Sequence, residues 1–201
     1  MRLRNISRLI VIVLVVLVGA VALIHQRLTS DAAPSSPALV GGTALNDPVP
    51  PMSLRDQNGA LVTTQSLGGR PTVLTFMDMT CTSECPIQAQ LLNQTAQFLG
   101  AQKARQVNWI IVSVNPTNTP ADADAFLKNQ KVTLPVKVLL GTQAQLEPVW
   151  HAYHIYVKAT PTDVNHTVAL FLIDKSGRQR MVFIDGFDPK ALSQDLSTLL
   201  G

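Results

Sequence analysis

Cysteine is almost missing from this chain: Cys81 and Cys85 are the only two in 201 residues. No more than one internal disulfide can form, and all thiol chemistry is confined to one place. Acidic residues are absent before Asp31. No charge run, internal repeat or low-complexity block interrupts the remainder. Also absent are a Ser-His-Asp order, a phosphate-binding glycine loop and a pair of catalytic carboxylates, so triad hydrolysis and nucleotide chemistry are not expected.

The basic balance is an effect of one end. The formal net charge is +3, from 16 basic and 13 acidic residues. Arg2, Arg4, Arg8 and Arg27 flank the N-terminal apolar run, leaving 12 basic against 13 acidic residues, a net −1, beyond it. A basic protein of this kind gives no sign of a nucleic-acid partner.

Leu9 to Ile24 is an unbroken run of Leu, Ile, Val, Gly and Ala. A run of this length lies between a signal-peptide core and a spanning helix, and His25, Gln26 and Arg27 extend it by snorkelling. Ala20-Val21-Ala22 resembles a cleavage site but lies inside the run, and no cysteine follows to carry a lipid. An uncleaved single-pass anchor over 9–27 is expected, with 1–8 as a cytoplasmic flank and the rest on the extracytoplasmic side. Residues 28–47, rich in Ala, Pro, Ser and Gly, read as a linker. Residues 48–201 have the length of one domain.

Within that domain strands and helices alternate. Met52–Arg55 and Leu61–Thr63 flank Gln57-Asn58-Gly59, a hairpin signal. Pro71–Met77 and Val107–Val114 are apolar on nearly every residue, as central parallel strands are. Thr119-Pro120 opens a helix to about Asn129, Val136–Leu140 is a short strand, and Thr142–Tyr153 is helical with Pro148 as a bend or stop. His166–Asp174 and Gln179–Ile184 form a second hairpin about Lys175-Ser176-Gly177-Arg178, and Pro189–Leu200 closes the chain as an amphipathic helix. This order describes an α/β sandwich of thioredoxin type with an added N-terminal β-hairpin.

Both cysteines lie where a buried strand gives way to a helix. Pro86 suits a first helical turn, and Ile87, Leu91, Leu92, Phe98 and Leu99 recur at helical spacing until Gly100. The positive end of the helix dipole favours a thiolate there. Residues four apart on a helix have Cβ atoms roughly 5–6 Å apart, and a disulfide wants about 3.5–4.5 Å. A modest distortion closes the bridge; left open, the pair chelates one soft metal ion, Cu(I) or Zn. A structural disulfide or two inert buried thiols remain the plain alternatives.

Other candidates are weaker. Met77 and Met79 are thioethers near Cys81 that serve equally as core. Asp78 and Glu84 bracket the cysteines and either oppose thiolate formation or attract a cation. His151 and His154 are three apart on an expected helix face, without further ligands for zinc.

Phe76-Met77-Asp78-Met79-Thr80-Cys81-Thr82-Ser83-Glu84-Cys85-Pro86 resembles the C-x-x-x-C-P motif of the Sco (SenC-type) proteins. Val112-Ser113-Val114-Asn115-Pro116 with Asn118-Thr119-Pro120 resembles that family's second signature. Asn165-His166-Thr167, opening a strand over Val168–Ile173, resembles its Asp-His-Ser. The resemblance runs from about Val49 to Phe187, with the blocks in order. It implies a membrane-anchored, thioredoxin-fold copper protein that assembles the copper centre of cytochrome c oxidase. On that reading Cys81, Cys85 and His166 hold one copper ion, Cu(I) or Cu(II), and the oxidase's copper-containing subunit is a partner, with a copper donor protein or a thiol reductant as others. Asn115 and Asn165 stand where the family has Asp, and Thr82 where it commonly has Pro; neighbouring carboxylates tune ligand basicity. The alternative is an enzyme, a thiol–disulfide oxidoreductase whose redox dithiol is Cys81 and Cys85.

Overall fold

The computed structural model describes residues 17–20, 39–160 and 164–201. The chain divides into two units, 1–37 and 38–201. Of the first, only Leu17–Ala20 is described; it is helical. The expected flank and most of the expected anchor and linker lie outside the described residues. Among the described residues no helix is long and apolar enough to cross a membrane.

The second unit is built on one main sheet. Its strands are β1 (Thr43–Ala44), β2 (Ser53–Asp56), β3 (Leu61–Thr63), β4 (Thr72–Met77), β5 (Asn108–Ser113) and β6 (Val136–Leu140), then β9 (Ala169–Ile173) and β10 (Gln179–Ile184). Between β6 and β9 the chain forms β7 (Val157–Ala159) and β8 (Val164–His166), a separate two-stranded ladder. The main sheet runs β1-β10-β9-β4-β5-β6-β2-β3. Its centre, β4-β5-β6, is parallel, and β9 joins β4 antiparallel. Every residue of β4 and of β9 is buried, because both faces of these strands are covered.

Helices α1 (Glu84–Leu99), α2 (Ala101–Ala104), α3 (Pro120–Asn129), α4 (Gln143–Ala152) and α5 (Pro189–Leu200) supply the covering layers. Leu92, Phe126 and Leu196 of α1, α3 and α5 pack with Val73, Trp109 and Ile111. Leu146, Val149 and Trp150 of α4 pack with Leu74, Phe76, Ile110 and Val112, the alternate residues of the same strands. That alternation is the period of a strand written into two cores. Tyr153 adds an aromatic cluster, with ring centroids 5.4 Å from Phe76 and 4.9 Å from Phe171.

The N-terminal hairpin forms as expected. Asp56 Oδ1 accepts from the backbone of Asn58 and Ala60, and Gly59 takes φ +82°. The helix α4 continues through Pro148 and stops at Ala152.

Three regions differ from the sequence reading. Thr43–Ala44, within the expected linker, pairs with β10 at the sheet edge. The buried Asp195 of α5 accepts from Val40 and Gly41 N–H at 2.8 and 3.0 Å, fixing the segment before β1. Second, the strand expected over His166–Asp174 is broken, because residues 164–166 pair with β7 in the separate ladder. Third, α4 ends before His154, which turns into the left-handed region at φ +56°, so His151 and His154 share no helix face.

Candidate functional site

The parallel pairing of β4 with β5 puts Met77 opposite Ser113, so the loops that follow the two strands leave the sheet side by side. One carries Cys81 and the other Asn115 and Asn118. Ligand sites of α/β sheets sit at this end, beyond the carboxyl ends of the strands.

Asp78 opens the first loop and is 3 % exposed. Its Oδ1 accepts from Thr80 N–H at 2.9 Å and from Thr80 Oγ1 at 2.8 Å. Its backbone carbonyl accepts from Cys81 N–H at 3.2 Å. The loop therefore closes as a short turn that delivers Cys81 to the start of α1. There the Cys85 N–H donates to Cys81 Sγ at 3.5 Å, and Ser83 Oγ stands 3.7 Å from the same sulfur. The first turn of a helix leaves N–H groups without partners, and the Ser83 side chain makes no capping bond here. Cys81 sulfur fills the role.

Both thiols are free: Cys81 is half-buried and Cys85 buried. Their environments separate them. Partial burial would raise the Cys81 pKa, but the Cys85 and Ser83 N–H groups, the Cys85 thiol and the Ser83 hydroxyl outweigh it, and the net effect is a lowered value. Burial pushes the Cys85 thiol far up, and the hydrogen bond to and charge of Cys81 push it further. Cys81 is the acidic, reachable sulfur; Cys85 is held as a thiol. A cavity of about 310 Å³ opens beside Cys81, walled by Pro86 and by Asp122, Phe126 and Asn129 of α3.

His166 ends β8, with Nδ1 3.0 Å from its neighbour's Thr167 carbonyl oxygen. Because β9 runs antiparallel to β4, the start of β9 and the end of β4 share one end of the sheet. His166 and the cysteine loop are thus on the same side. They are not gathered: among the described residues no group of three His, Cys, Asp or Glu side chains stands close enough to hold a metal ion.

Met77 and Met79 are core, 1 % and 5 % exposed. Glu84 is exposed in the first turn of α1, where a carboxylate complements the dipole. His151 stands 3.6 Å from Glu147 on an exposed helix face. The sequence reading missed the part played by Asn115 and Asn118. Both donate from Nδ2 to the Asp78 carboxylate, Asn118 at 2.9 Å and Asn115 at 3.2 and 3.3 Å. The sequence signal was indirect: two apolar runs that read as central parallel strands, whose pairing sets the two following loops abreast.

Comparison with known proteins bears on this geometry. A ScoI structure from Bradyrhizobium japonicum with copper bound is 30 % identical, covers 75 % of this chain and 98 % of its own, and superposes with a TM-score of 0.68. A copper-bound ScoI from Arabidopsis thaliana matches at 21 % identity over 76 % of this chain and 98 % of its own, with a TM-score of 0.68, which speaks for the fold alone. A SCO2-like protein of Rickettsia prowazekii is 24 % identical over 185 residues, 87 % of each chain. The α/β architecture is accordingly thioredoxin-like, as expected. The SCO1/SenC family model matches residues 42–201, from the segment before β1 to the end of α5, and the chain belongs to the SCO1/SenC family.

Proposed function

We propose that this chain is a copper-binding assembly factor. It holds one copper ion through Cys81, Cys85 and His166 and delivers it to the copper centre of a respiratory cytochrome c oxidase. The observation that carries this reading is the open thiol pair, Cys81 Sγ resting on the Cys85 N–H, in a chain 30 % identical to a Sco protein seen with copper. Two thiolates and an imidazole form a soft-to-borderline donor set that suits Cu(I) and tolerates Cu(II). Copper is the cargo. Loading displaces thiol protons and requires His166, at the same end of the sheet, to reach the sulfurs, so affinity falls in acid. The apolar run over 9–27 serves as the membrane anchor, and the residues between it and the segment that Asp195 fixes before β1 serve as its tether. Together they carry the folded domain, which includes β1, on the extracytoplasmic side of the inner membrane, where the oxidase's copper-containing subunit is the acceptor.

The asymmetry of the thiols supports a second reading, a thiol–disulfide oxidoreductase. Cys81 thiolate attacks a partner disulfide, forming a mixed disulfide and expelling one partner thiolate. Cys85 then gives up its proton and attacks Cys81 sulfur, releasing the second partner thiol and leaving a Cys81–Cys85 disulfide. An external thiol reductant resets it.

The test is a copper titration of the reduced full chain without oxygen, beside His166→Ala and Cys81→Ser. One tightly bound equivalent, with sulfur-to-Cu(II) charge-transfer bands that vanish or shift in both variants, supports copper delivery. Weak binding that His166→Ala leaves unchanged defeats the three-ligand site and leaves the redox dithiol.

A further inference from the structure

We propose that Asp78 is the positioning residue of the thiol pair, an acceptor-only side chain that ties the turn over 79–81 to the neighbouring loop over 113–118 and so holds Cys81 sulfur on the start of α1. The inference deepens the reading of Cys81 and Cys85 as the working thiols and rests on it.

Two backbone N–H groups fix the orientation of both amides. Asn118 Oδ1 accepts from Met79 N–H and from Ser113 Oγ, both at 2.9 Å. Asn115 Oδ1 accepts from Thr117 N–H at 3.0 Å and Thr117 Oγ1 at 2.7 Å. A backbone N–H can only donate, so neither amide can turn over, and both must present Nδ2 to Asp78. With Thr80 N–H and Oγ1, four groups donate to one buried carboxylate. Between them Asp78 and Asn118 receive the backbone N–H of residues 79, 80 and 81. Nothing is left loose between the end of β4 and Cys81. A half-satisfied buried network is costly, so the side chain at 78 cannot be exchanged alone.

An amide at 78 would set its own NH2 against that of Asn115. A carboxylate at 115 would set two carboxylates face to face. The two changes together restore the match. The amide oxygen introduced at 78 would accept from Thr80 and Asn118, and its NH2 would donate to the carboxylate introduced at 115. Closing a disulfide draws Cys81 toward Cys85 and disturbs the turn. The network therefore favours the dithiol, and its loss favours the disulfide.

The experiment uses the full chain and its Asp78→Asn, Asn115→Asp and doubly exchanged variants, equilibrated in dithiothreitol redox buffers. Cys81 and Cys85 form one S–S bond and release two protons and two electrons, which open the cyclic disulfide of oxidised dithiothreitol. Each single variant is expected to move the equilibrium about tenfold toward the disulfide, about 30 mV lower in potential for a two-electron couple. The double exchange is expected to return it to within about threefold of wild type. Singles within about twofold of wild type, whatever their thermal midpoints, overturn the proposal; so does a double exchange no better than the worse single. If Asp78→Asn does not fold, Asn115→Ala decides: a shift toward the disulfide upholds the role and an unchanged equilibrium overturns it. No copper is needed, so failure of the copper reading would appear separately, in the titration of wild type.

Discussion

The Cys85 N–H points at Cys81 sulfur across 3.5 Å, so the thiol that reaches solvent also caps the helix that carries the buried one. One contact thereby lowers the pKa of the first sulfur and positions the second. The α1 N-terminus is built from the site's own reactive group.

Selective alkylation follows from that contact. Iodoacetamide at neutral pH is expected to modify Cys81 at least about tenfold faster than Cys85, since only Cys81 combines access with a lowered pKa. Mass spectrometry of quenched samples reads the order. Replacing Cys81 by Ala also removes a cap, and about 0.5–2 kcal/mol of stability with it.

The buried Tyr153 hydroxyl has no hydrogen-bond partner among the described residues, and burial pushes its pKa well above the ordinary value. Tyr153→Phe keeps the packing on Phe76 and Phe171 while removing the unsatisfied oxygen. It is expected to stabilise the domain by about 1–3 kcal/mol. A lower denaturation midpoint than wild type would contradict this.

Asp195 anchors the entry of the chain into the sheet. Asp195→Ala is expected to cost about 2–4 kcal/mol through two lost bonds to a buried carboxylate. Gly42→Ala should harm the same junction, because a Cβ there would lie 2.6 Å from the Val182 carbonyl oxygen. Hydrogen exchange localised to residues 40–44 and to β10 checks both.

Acid should loosen the β9–β10 hairpin. Partial burial raises the Asp174 pKa, but bonds from Ser176, Arg178 and Arg180 outweigh it, and the folded value lies below the unfolded 3.8. A depressed carboxylate contributes stability above its unfolded pKa and loses it as pH falls through the folded one. Wild type should therefore lose stability over that window below pH 3.8 faster than Asp174→Asn does, as read from urea midpoints against pH.

Much of this protein was legible along the chain. The strand expected over Pro71–Met77 and found over Thr72–Met77, the helix stopped by Gly100 and the cysteines between them follow from short-range periodicity and punctuation. The Asn-Gly hairpin and the Thr119-Pro120 helix start are equally local. Such features need only neighbouring residues, and the folded structure keeps them.

Tertiary structure decided the rest. Asp78 meets Asn115 and Asn118, 37 and 40 residues away, only because β4 and β5 pair in parallel. Asp195 reaches 155 residues back to turn part of an expected linker into a sheet edge. His166 sits on a small separate ladder because residues 164–166 pair with β7 instead of continuing into β9. Sequence alone determined which groups could do thiol chemistry, since residue type and helix position are local properties. Which thiol is acidic, and what holds it in place, depended on burial and on donors brought from distant strands, and those exist only after folding.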